Sequence, residues 1–467
     1  MRIWLIQIKN KLAAMMSDPK QTPDLDQLIR DEITAFCAQH PAVDEVDILC
    51  AGMTPNLWGK RYPMAKLAKL VGELKMPRGN GLMSPVGEYL PVLEYNDTDG
   101  DPDAALQFIP NTLKIIPWEH NRAQIMVSTA DAIEPFDGEP RVILDRVVKK
   151  LNAQNLFPTV AFELEFYLVD KNLDDNGHLQ PPKNAFNGRT DHAAVLCMDR
   201  LDNYSDVLRE IRQCCEAQGI ESTAISSEIG AGQFEINLNH STNPLTAADD
   251  VIQYKRIIKA AARKHNFDAT FMAKPYMEDA GSGMHMHVSM YDENGENQFA
   301  KNDKKMLYHA VGGLLNTLHG AMAFLASNPN AYRRYVPDLA IATQKSWGHE
   351  NRYVAVRIPT SNDKNTRIEH RVPAADANPY LALAALLGGI YAGIQSKADP
   401  GAEFEGLACY EHLYPQTLDA ALNELEQDNA LQDVLGKHFV EIYLAYKRSE
   451  IKEFNNYIAA REYAWYA

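Results

Sequence analysis

The chain has 467 residues, of which 46% are hydrophobic and 23% are charged, with 26 glycines and 25 prolines. This composition is typical of a folded globular protein and excludes a mainly disordered, collagenous or membrane-embedded chain. The 46 basic and 62 acidic residues give a net charge of −16, which disfavours nucleic acid and anionic lipid as partners and favours small molecules or proteins.

The cysteines and the apolar segments predict a cytoplasmic protein. Six scattered cysteines form no CxxC pair and no metal-like spacing, which is typical of a reducing compartment. The N-terminal segment lacks the long apolar run and the cleavage site of a signal peptide. Charged residues interrupt every candidate for the ~20 apolar residues of a spanning helix, so we expect no membrane partner.

The elements in chain order predict an α+β protein. A helix is predicted over about residues 23–39, followed by a strand in VDEVDILC and a Gly- and Pro-rich region. After the linker-like DAIEPFDGEP come the helical RVILDRVVKKLNAQ and alternating strands and helices. NPYLALAALLGGIYAGI predicts a buried helix and SEIKEFNNYIAAREYAWYA an exposed one. We place a domain boundary near residue 130, which gives domains of residues 17–130 and 131–467.

Four strand-like segments alternate an apolar face with a face of charged or metal-binding side chains: TVAFELEFYLV, EIGAGQFEINLNH, GSGMHMHVSM and NTRIEHRV. The polar faces carry Glu163, Glu165, Glu235, His285, His287, Ser289, Arg367, Glu369 and Arg371, with Glu228 in a Gly-rich turn upstream of Glu235. In a single strand this pattern is more typical of a sheet face in water. Its fourfold repetition favours a shared site.

Carboxylates on these strands predict a metal site. Five of them on one sheet face would repel one another without cations, so strands that share a sheet must hold a divalent ion. Oxygen ligands with a single imidazole favour Mg²⁺ or Mn²⁺ over zinc.

Arg334, Arg352 and Arg357 lie in NPNAYRRYVP and NRYVAVRIP. Arginine suits forked recognition of carboxylate and phosphate, although a single arginine is more often a surface ion-pair residue. Metal-binding carboxylates together with several arginines indicate phosphoryl transfer from a nucleotide. The sequence has no GxxxxGK[ST] motif, which excludes a P-loop NTPase.

Seven segments of the chain occur in the order FELEF, EIGAGQFE, KPYMEDAGSGMHMHVS, YRRYVP, ENRYVAVRIP, TRIEHRV and ANPYLALAALL. In these segments and their order the chain resembles the type I glutamine synthetase family, and within it the γ-glutamyl-amine synthetase branch. The resemblance implies a small β-grasp-like N-terminal domain and a large catalytic domain on a curved antiparallel sheet flanked by helices. It also implies a double-hexamer ring with active sites between neighbouring subunits. The implied chemistry is ATP-driven phosphorylation of the glutamate side-chain carboxylate, followed by attack of an amine on the acyl phosphate.

The resemblance also implies a role for each matching residue. The first metal would be bound by Glu165, Glu228 and Glu235, and the second by Glu163, His285 and Glu369. Glutamate would contact Arg334, Glu165 and the backbone of Gly281, with Arg371 facing the reacting carboxylate. Arg352 and Arg357 would clamp phosphate. The nucleotide would contact Ser289, His287, Lys364 and Arg367.

Three positions depart from the family pattern. The acidic flap residue of ammonia-using members is Ala340 here, and the N-terminal aspartate that draws in ammonium is Gly52. The asparagine that usually precedes GSGMH is Ala280. A degenerate relative would be expected to lose metal ligands too, yet all six are present. We therefore expect a ligase that joins the γ-carboxylate of glutamate to an organic primary amine.

Ala340 and Gly52 are small and uncharged, so they leave room for a large substituent and do not attract a cation. They therefore favour a bulky or aromatic monoamine over a polyamine. Leu57, Trp58 and Trp347 are candidates for an apolar wall around it, although core packing explains each Trp equally well. Two alternatives stay open: a true glutamine synthetase with a rearranged ammonium site, and a non-catalytic, ring-forming relative.

Overall fold

The computed structural model describes residues 24–54, 56–95, 99–129, 135–184, 187–336, 341–406 and 414–467, and these form a mixed α+β fold. The first helix, α1, covers Leu25–Gln39 and is capped by the Asp24 carboxylate, which accepts a hydrogen bond from the Asp26 amide. The elements that follow are β1 Glu45–Ala51, β2 Leu57–Pro63, α2 Leu67–Leu70, β3 Lys75–Pro77, β4 Asp103–Ala105, β5 Gln107–Phe108, β6 Lys114–Ile115 and β7 Arg122–Ser128.

Strand β1 lies in the middle of a five-stranded sheet. It pairs antiparallel with β2 and parallel with β7, and β5 and β6 also pair with β7. Ile29 and Ile33 of α1 belong to the same buried cluster as Val46 and Ile48 of β1. A helix packed on a mixed sheet with a parallel central pair agrees with the β-grasp-like prediction.

The rest of the chain builds a larger sheet surrounded by helices. Its elements are α3 Pro140–Asn152, β8 Phe157–Asp170, α4 Met198–Asn203, α5 Ser205–Ala217, β9 Ser222–Ser227, β10 Gln233–Leu238, α6 Pro244–Lys264, β11 Phe267–Thr270, β12 Met284–Tyr291, α7 Lys305–Leu325, β13 Trp347–His349, β14 Val356–Ile358, β15 Ile368–His370, α8 Pro379–Ser396, α9 Leu418–Gln427, α10 Asn429–Leu435, α11 Lys437–Asn455 and α12 Ala460–Tyr466.

Strand β8 is the centre of this eight-stranded sheet. The order is β13-β14-β15-β12-β8-β10-β9, and β11 also pairs with β8. Val160, Phe162 and Leu164 are at most 1% exposed on the face that meets the helices, and the intervening Glu163 and Glu165 point to the other face. The period-two prediction is therefore confirmed for the strand that organises the site.

The prediction that the large sheet is antiparallel is wrong for one pair of strands. β13 and β14 run parallel, whereas the other described pairs of this sheet are antiparallel. The sequence pattern could not show this, because alternation assigns residues to faces and says nothing about the direction of a neighbouring strand.

Helices α7 and α8 cross where glycines let their backbones meet. A Cβ atom on Gly313 would collide with the backbone of Gly389 and Gly393. Helix α8 is long and apolar enough to cross a membrane, but 72% of that stretch is buried inside the protein. It is the buried helix that the sequence predicts.

The predicted exposed C-terminal helix is two helices. α11 ends at Asn455, and α12 starts at Ala460. Asn456 bonds its side-chain amide to the Glu453 carboxylate, and asparagine favours helix ends over helix interiors. The Glu462 carboxylate then accepts the Ala459 amide and starts the new helix.

Candidate active site

The polar faces of five strands form one continuous surface. The cross-strand neighbours are Glu165 with Glu235, Glu163 with His285, His287 with Glu369, and Glu369 with Arg357. Side chains directly opposite one another in a sheet have Cβ atoms about 5 Å apart. Strand pairing therefore gathers carboxylates, imidazoles and a guanidinium that are separated by up to 206 residues in the chain, from Glu163 to Glu369.

Two groups of three side chains each offer ligand atoms within 4.8 Å of one another: Glu163, His285 and Glu369, and Glu165, Glu235 and His285. The first group is the set implied for the second metal. The second contains two of the three residues implied for the first metal, with His285 in place of Glu228. Glu228 lies outside both groups, and its carboxylate accepts a hydrogen bond from Ser226 Oγ at 3.2 Å.

Burial and mutual repulsion perturb the carboxyls of the second group. Burial raises the pKa of Glu165 to about 7, with a smaller opposing effect from Arg334. Burial and the nearby charges of Glu165 and Glu163 raise the pKa of Glu235 to about 9. The cluster therefore resists ionisation without a cation. The donor set fits a hard divalent ion, which would neutralise these charges and polarise a phosphoryl oxygen when bound.

Glu163 lies between two imidazoles. Its Oε1 atom is 3.0 Å from His287 Nε2 and its Oε2 atom is 3.4 Å from His285 Nδ1. Burial opposes its ionisation, but these two contacts together hold the pKa of Glu163 well below its usual range. Burial is also the main effect on His285, with the charge of Arg371 next, and they lower its pKa to about 4. The neutral imidazole that results is the form that binds metal.

Two arginines converge on Glu369. Arg357 Nη1 lies 2.6 Å from its carboxylate, and Arg371 Nη1 contacts the other oxygen. Burial alone would raise the pKa of Glu369, but Arg371 and other neighbouring charges lower it. Arg371 Nε also donates to the carbonyl oxygen of Arg352, whose own side chain is exposed. The structure thus brings Arg357 and Arg371 to Glu369. Arg352 is more exposed, but its charge reaches the Glu228 carboxyl: burial raises the pKa of Glu228, and the Ser226 hydrogen bond and Arg352 oppose that rise.

Arg334 is 3% exposed and is held against two glycines. Its Nη1 atom donates to the carbonyl of Val372 at 2.8 Å. A Cβ atom on Gly281 would lie 2.7 Å from Arg334 Cγ, and one on Gly283 would lie 2.5 Å from Nη2. Glycine at both positions lets the guanidinium approach the start of β12. The backbone amide of Gly283 also donates to Glu165 Oε2 at 2.7 Å, so Arg334, Gly281 and Glu165 form one cluster.

Gln233 is a site residue that the sequence interpretation missed. Its Nε2 atom donates to Glu165 Oε2 at 3.2 Å and to the Gly281 carbonyl at 3.0 Å. The signal was available, because Gln233 stands two residues before Glu235 and therefore shares its face of β10.

A cavity of about 750 Å³ opens beside Glu163 and His287, which is within the usual size range of small-molecule sites. Ser289 and Arg367 also line it, whereas Lys364, a described residue, does not. Ser289 Oγ donates to the Thr366 carbonyl at 3.0 Å. Further lining residues that the sequence did not single out are Thr223, Asn237, Asn239, Thr360 and Asn362.

The structure describes two of the three positions that depart from the family pattern, Ala280 and Gly52. Ala340 lies outside the described residues. Ala280 is 6% exposed, and its carbonyl accepts a hydrogen bond from Tyr167. A Cβ atom on Gly52 would lie 3.0 Å from Trp58 Nε1. Trp347 is 7% exposed and donates to the Gly401 carbonyl, so it is a core residue and not an amine-facing wall.

Residues 137–466 match the family model described as the catalytic domain of glutamine synthetase. The γ-glutamylputrescine synthetase PuuA of Escherichia coli strain K12 is 36% identical over 444 residues, which cover 93% of this chain and 94% of the relative. A glutamine synthetase of Halobacterium salinarum is 33% identical over 78% of this chain and 81% of its own length.

A solved structure titled as a GmaS/ADP complex shares the fold, with a TM-score of 0.79 and 24% identity over 92% of this chain and 98% of that one. The catalytic-domain match and the near full-length relative agree with the geometry of the carboxylates, arginines and cavity. The chain therefore belongs to the glutamine synthetase family and is an ATP-dependent ligase that joins glutamate to an amine.

Proposed function

We propose that the chain joins the γ-carboxylate of glutamate to an organic primary amine, in preference to ammonia, through a γ-glutamyl phosphate, with release of ADP and phosphate. The observation that carries this proposal is the surroundings of Gly52, where ammonia-using relatives are expected to have an aspartate. A side chain there would start 3.0 Å from both Trp58 Nε1 and the Gly81 carbonyl. An indole thus stands beside the position of the ammonium-binding acid.

The arrangement of charges supports the phosphorylation step. A nucleotide in the cavity beside Glu163 would direct its terminal phosphate along the sheet toward Glu369 and the arginines. Arg334 and the Gly281 backbone would hold glutamate, and Arg357 and Arg371 would neutralise charge on the transferred phosphate. Phosphorylation gives the γ-carboxyl carbon a good leaving group, which a free carboxylate lacks.

Domain and assembly predictions follow from the same proposal. We propose domains of residues 17–130 and 131–467, and a cytoplasmic double hexamer in which neighbouring subunits complete each site. The described cysteines, Cys37, Cys50, Cys197, Cys214 and Cys215, are free thiols, which supports a reducing compartment.

Two observations bear on the amine. Trp58 beside Gly52 favours a bulky or aromatic monoamine, the preference that the sequence indicates, although Trp347 adds nothing to it. Putrescine is the second candidate, because a relative that is 36% identical over 93% of the chain is named for that diamine. The non-catalytic alternative is disfavoured, because the structure brings together five of the six predicted ligands in two groups.

The test is phosphate release with ATP, glutamate, Mg²⁺ and one amine at a time, at equal concentrations. The panel contains aniline, benzylamine, ethylamine, putrescine and ammonium, and a reaction without glutamate is the control. We expect an organic amine to give the fastest release. Fastest release with ammonium would refute the proposal, and so would the absence of glutamate-dependent release with every amine of the panel.

A pair of variants tests the part assigned to Trp58. Trp58→Ala should change the order of the organic amines and leave the KM for ATP within twofold. Trp118→Ala is the matched control, because Trp118 is a partly buried indole that packs against the core and the Arg256 guanidinium. An amine order that both variants change equally, or that neither changes, would remove Trp58 from the proposed amine site.

A further inference from the structure

Glu350 has a left-handed backbone conformation and a side chain that accepts two hydrogen bonds. It follows directly after β13 and has a φ of 52°, a left-handed conformation that costs free energy in any residue with a Cβ atom. Its side chain is 50% exposed. A glycine would remove the strain at such a surface position, so the carboxylate must supply something that offsets it.

The Glu350 carboxylate makes two contacts. Its Oε2 atom accepts from Arg357 Nη2 at 2.9 Å, and its Oε1 atom accepts from the backbone amide of Thr360. The Thr360 amide and the Arg357 guanidinium together lower the pKa of Glu350 to about 2. The group is therefore ionised at neutral pH, and both contacts are charge-assisted.

These contacts fix the side of Arg357 that faces away from the carboxylate cluster. Arg357 Nη1 lies 2.6 Å from Glu369 and Nη2 lies 2.9 Å from Glu350, so the guanidinium plane is held from both ends. A cation at the donor group that contains Glu369 would compete with Arg357 for that carboxylate. Glu350 lies outside both donor groups, so a cation bound there would not compete for its carboxylate.

The second contact joins the same carboxylate to the nucleotide cavity. Thr360 lines the cavity of about 750 Å³, and its amide nitrogen is bonded to Glu350. One side chain thus links the cavity wall to the guanidinium proposed to neutralise the transferred phosphate.

We propose that Glu350 is a positioning residue for phosphoryl transfer, which acts through Arg357 and the cavity wall at Thr360. This inference rests on the proposed role of Arg357. An ordinary surface ion pair contributes little. Glu350 differs from one in having a partner that is only 13% exposed, a bond to a backbone amide, and a strained backbone.

The first experiment compares Glu350→Ala, Glu350→Gln and Glu403→Ala in steady-state assays of the full chain. Loss of a charge-assisted bond predicts a fall in kcat of about 10- to 100-fold for Glu350→Ala, with the KM for glutamate within twofold of wild type. Glu350→Gln keeps an acceptor for the Thr360 amide, so its kcat should lie between those of Glu350→Ala and wild type. Glu403 is the matched control, because it is also exposed and binds His349 through its backbone amide and its ring.

A double-mutant cycle tests whether Glu350 acts through Arg357. Arg357→Ala should lower kcat strongly, and adding Glu350→Ala to it should lower kcat by a smaller factor than in wild type, because only the contact with Thr360 is then left to lose. If the second substitution lowers kcat as much in this background as in wild type, the inference is overturned while the role of Arg357 stands. If Arg357→Ala leaves kcat unchanged, the proposed role of Arg357 fails, and the inference fails with it.

Melting temperatures of all variants separate positioning from loss of fold. A Glu350→Ala protein that melts like wild type with lowered kcat supports the inference. If Glu350→Ala does not fold, Glu350→Gln replaces it, and a wild-type kcat in that variant overturns the inference.

Discussion

A methyl group at position 283 should impair glutamate binding by displacing Arg334. In Gly283→Ala the new carbon would lie 2.5 Å from Arg334 Nη2 and 3.2 Å from His285 Nε2. Ordinary contacts are about 3.5–4.0 Å, so the guanidinium must move by about 1 Å. Such a movement lengthens its 2.8 Å bond to the Val372 carbonyl and shifts the atoms proposed to hold the substrate carboxylate.

A displacement of about 1 Å in a positioning group costs on the order of 100-fold in rate, and overpacking a well-packed site costs about 1–3 kcal/mol of stability. We therefore expect kcat/KM for glutamate to fall about 100-fold in Gly283→Ala, together with a lower melting temperature. The assay is phosphate release at varied glutamate and saturating ATP.

Gly388→Ala is the matched control for this substitution. Its Cβ atom would lie 3.4 Å from Val434 Cγ1, an ordinary contact, and alanine at a helical position is favoured over glycine by up to about 1 kcal/mol. Its activity should match wild type. A Gly283→Ala protein with wild-type kcat/KM for glutamate would show that Arg334 does not hold the substrate in the observed position.

Two further predictions concern metal and packing. Without metal, the melting temperature should fall as the pH rises from about 6 to 9. The reason is that the folded-state pKa values of Glu165 (about 7) and Glu235 (about 9) exceed the ordinary value of 4.5. The stability that these protonated groups contribute is fully present below pH 4.5 and is lost as the pH rises through each folded-state pKa. Mg²⁺ or Mn²⁺ should therefore raise the melting temperature more at pH 9 than at pH 6, and a larger effect at pH 6 would contradict this. Gly313→Ala should destabilise the α7–α8 contact by about 1–3 kcal/mol, measured as a lower denaturant midpoint, and an unchanged midpoint would show that these helices separate without cost.

Much of the site could be predicted because strands impose a simple geometry. Alternation alone placed Glu163 and Glu165 on the face opposite a buried one, and the structure confirms it. Repulsion between carboxylates then predicted a cation site, and two donor groups are present where strands meet. These inferences needed only local periodicity and charge.

What the sequence could not supply depends on contacts between distant segments. Glu350 looks like any surface glutamate until its hydrogen bonds to Arg357 and Thr360 are seen. Trp347 was a candidate for the amine wall because it stands near the flap in sequence, yet its ring is in the core against Tyr308. Side-chain direction at the end of a three-residue strand is set by tertiary packing and leaves little trace in local pattern.

Because both donor groups contain His285, we expect substitutions in the metal site to be less tolerated than substitutions around Gly52. A substitution at this imidazole would alter both groups in the proposed enzyme. Gly52, by contrast, directly follows β1 of the other sheet, and its carbonyl accepts a hydrogen bond from Asn378. In the proposed enzyme, new amines can therefore be accommodated at the end of a strand of one sheet without disturbing the phosphoryl chemistry on the other.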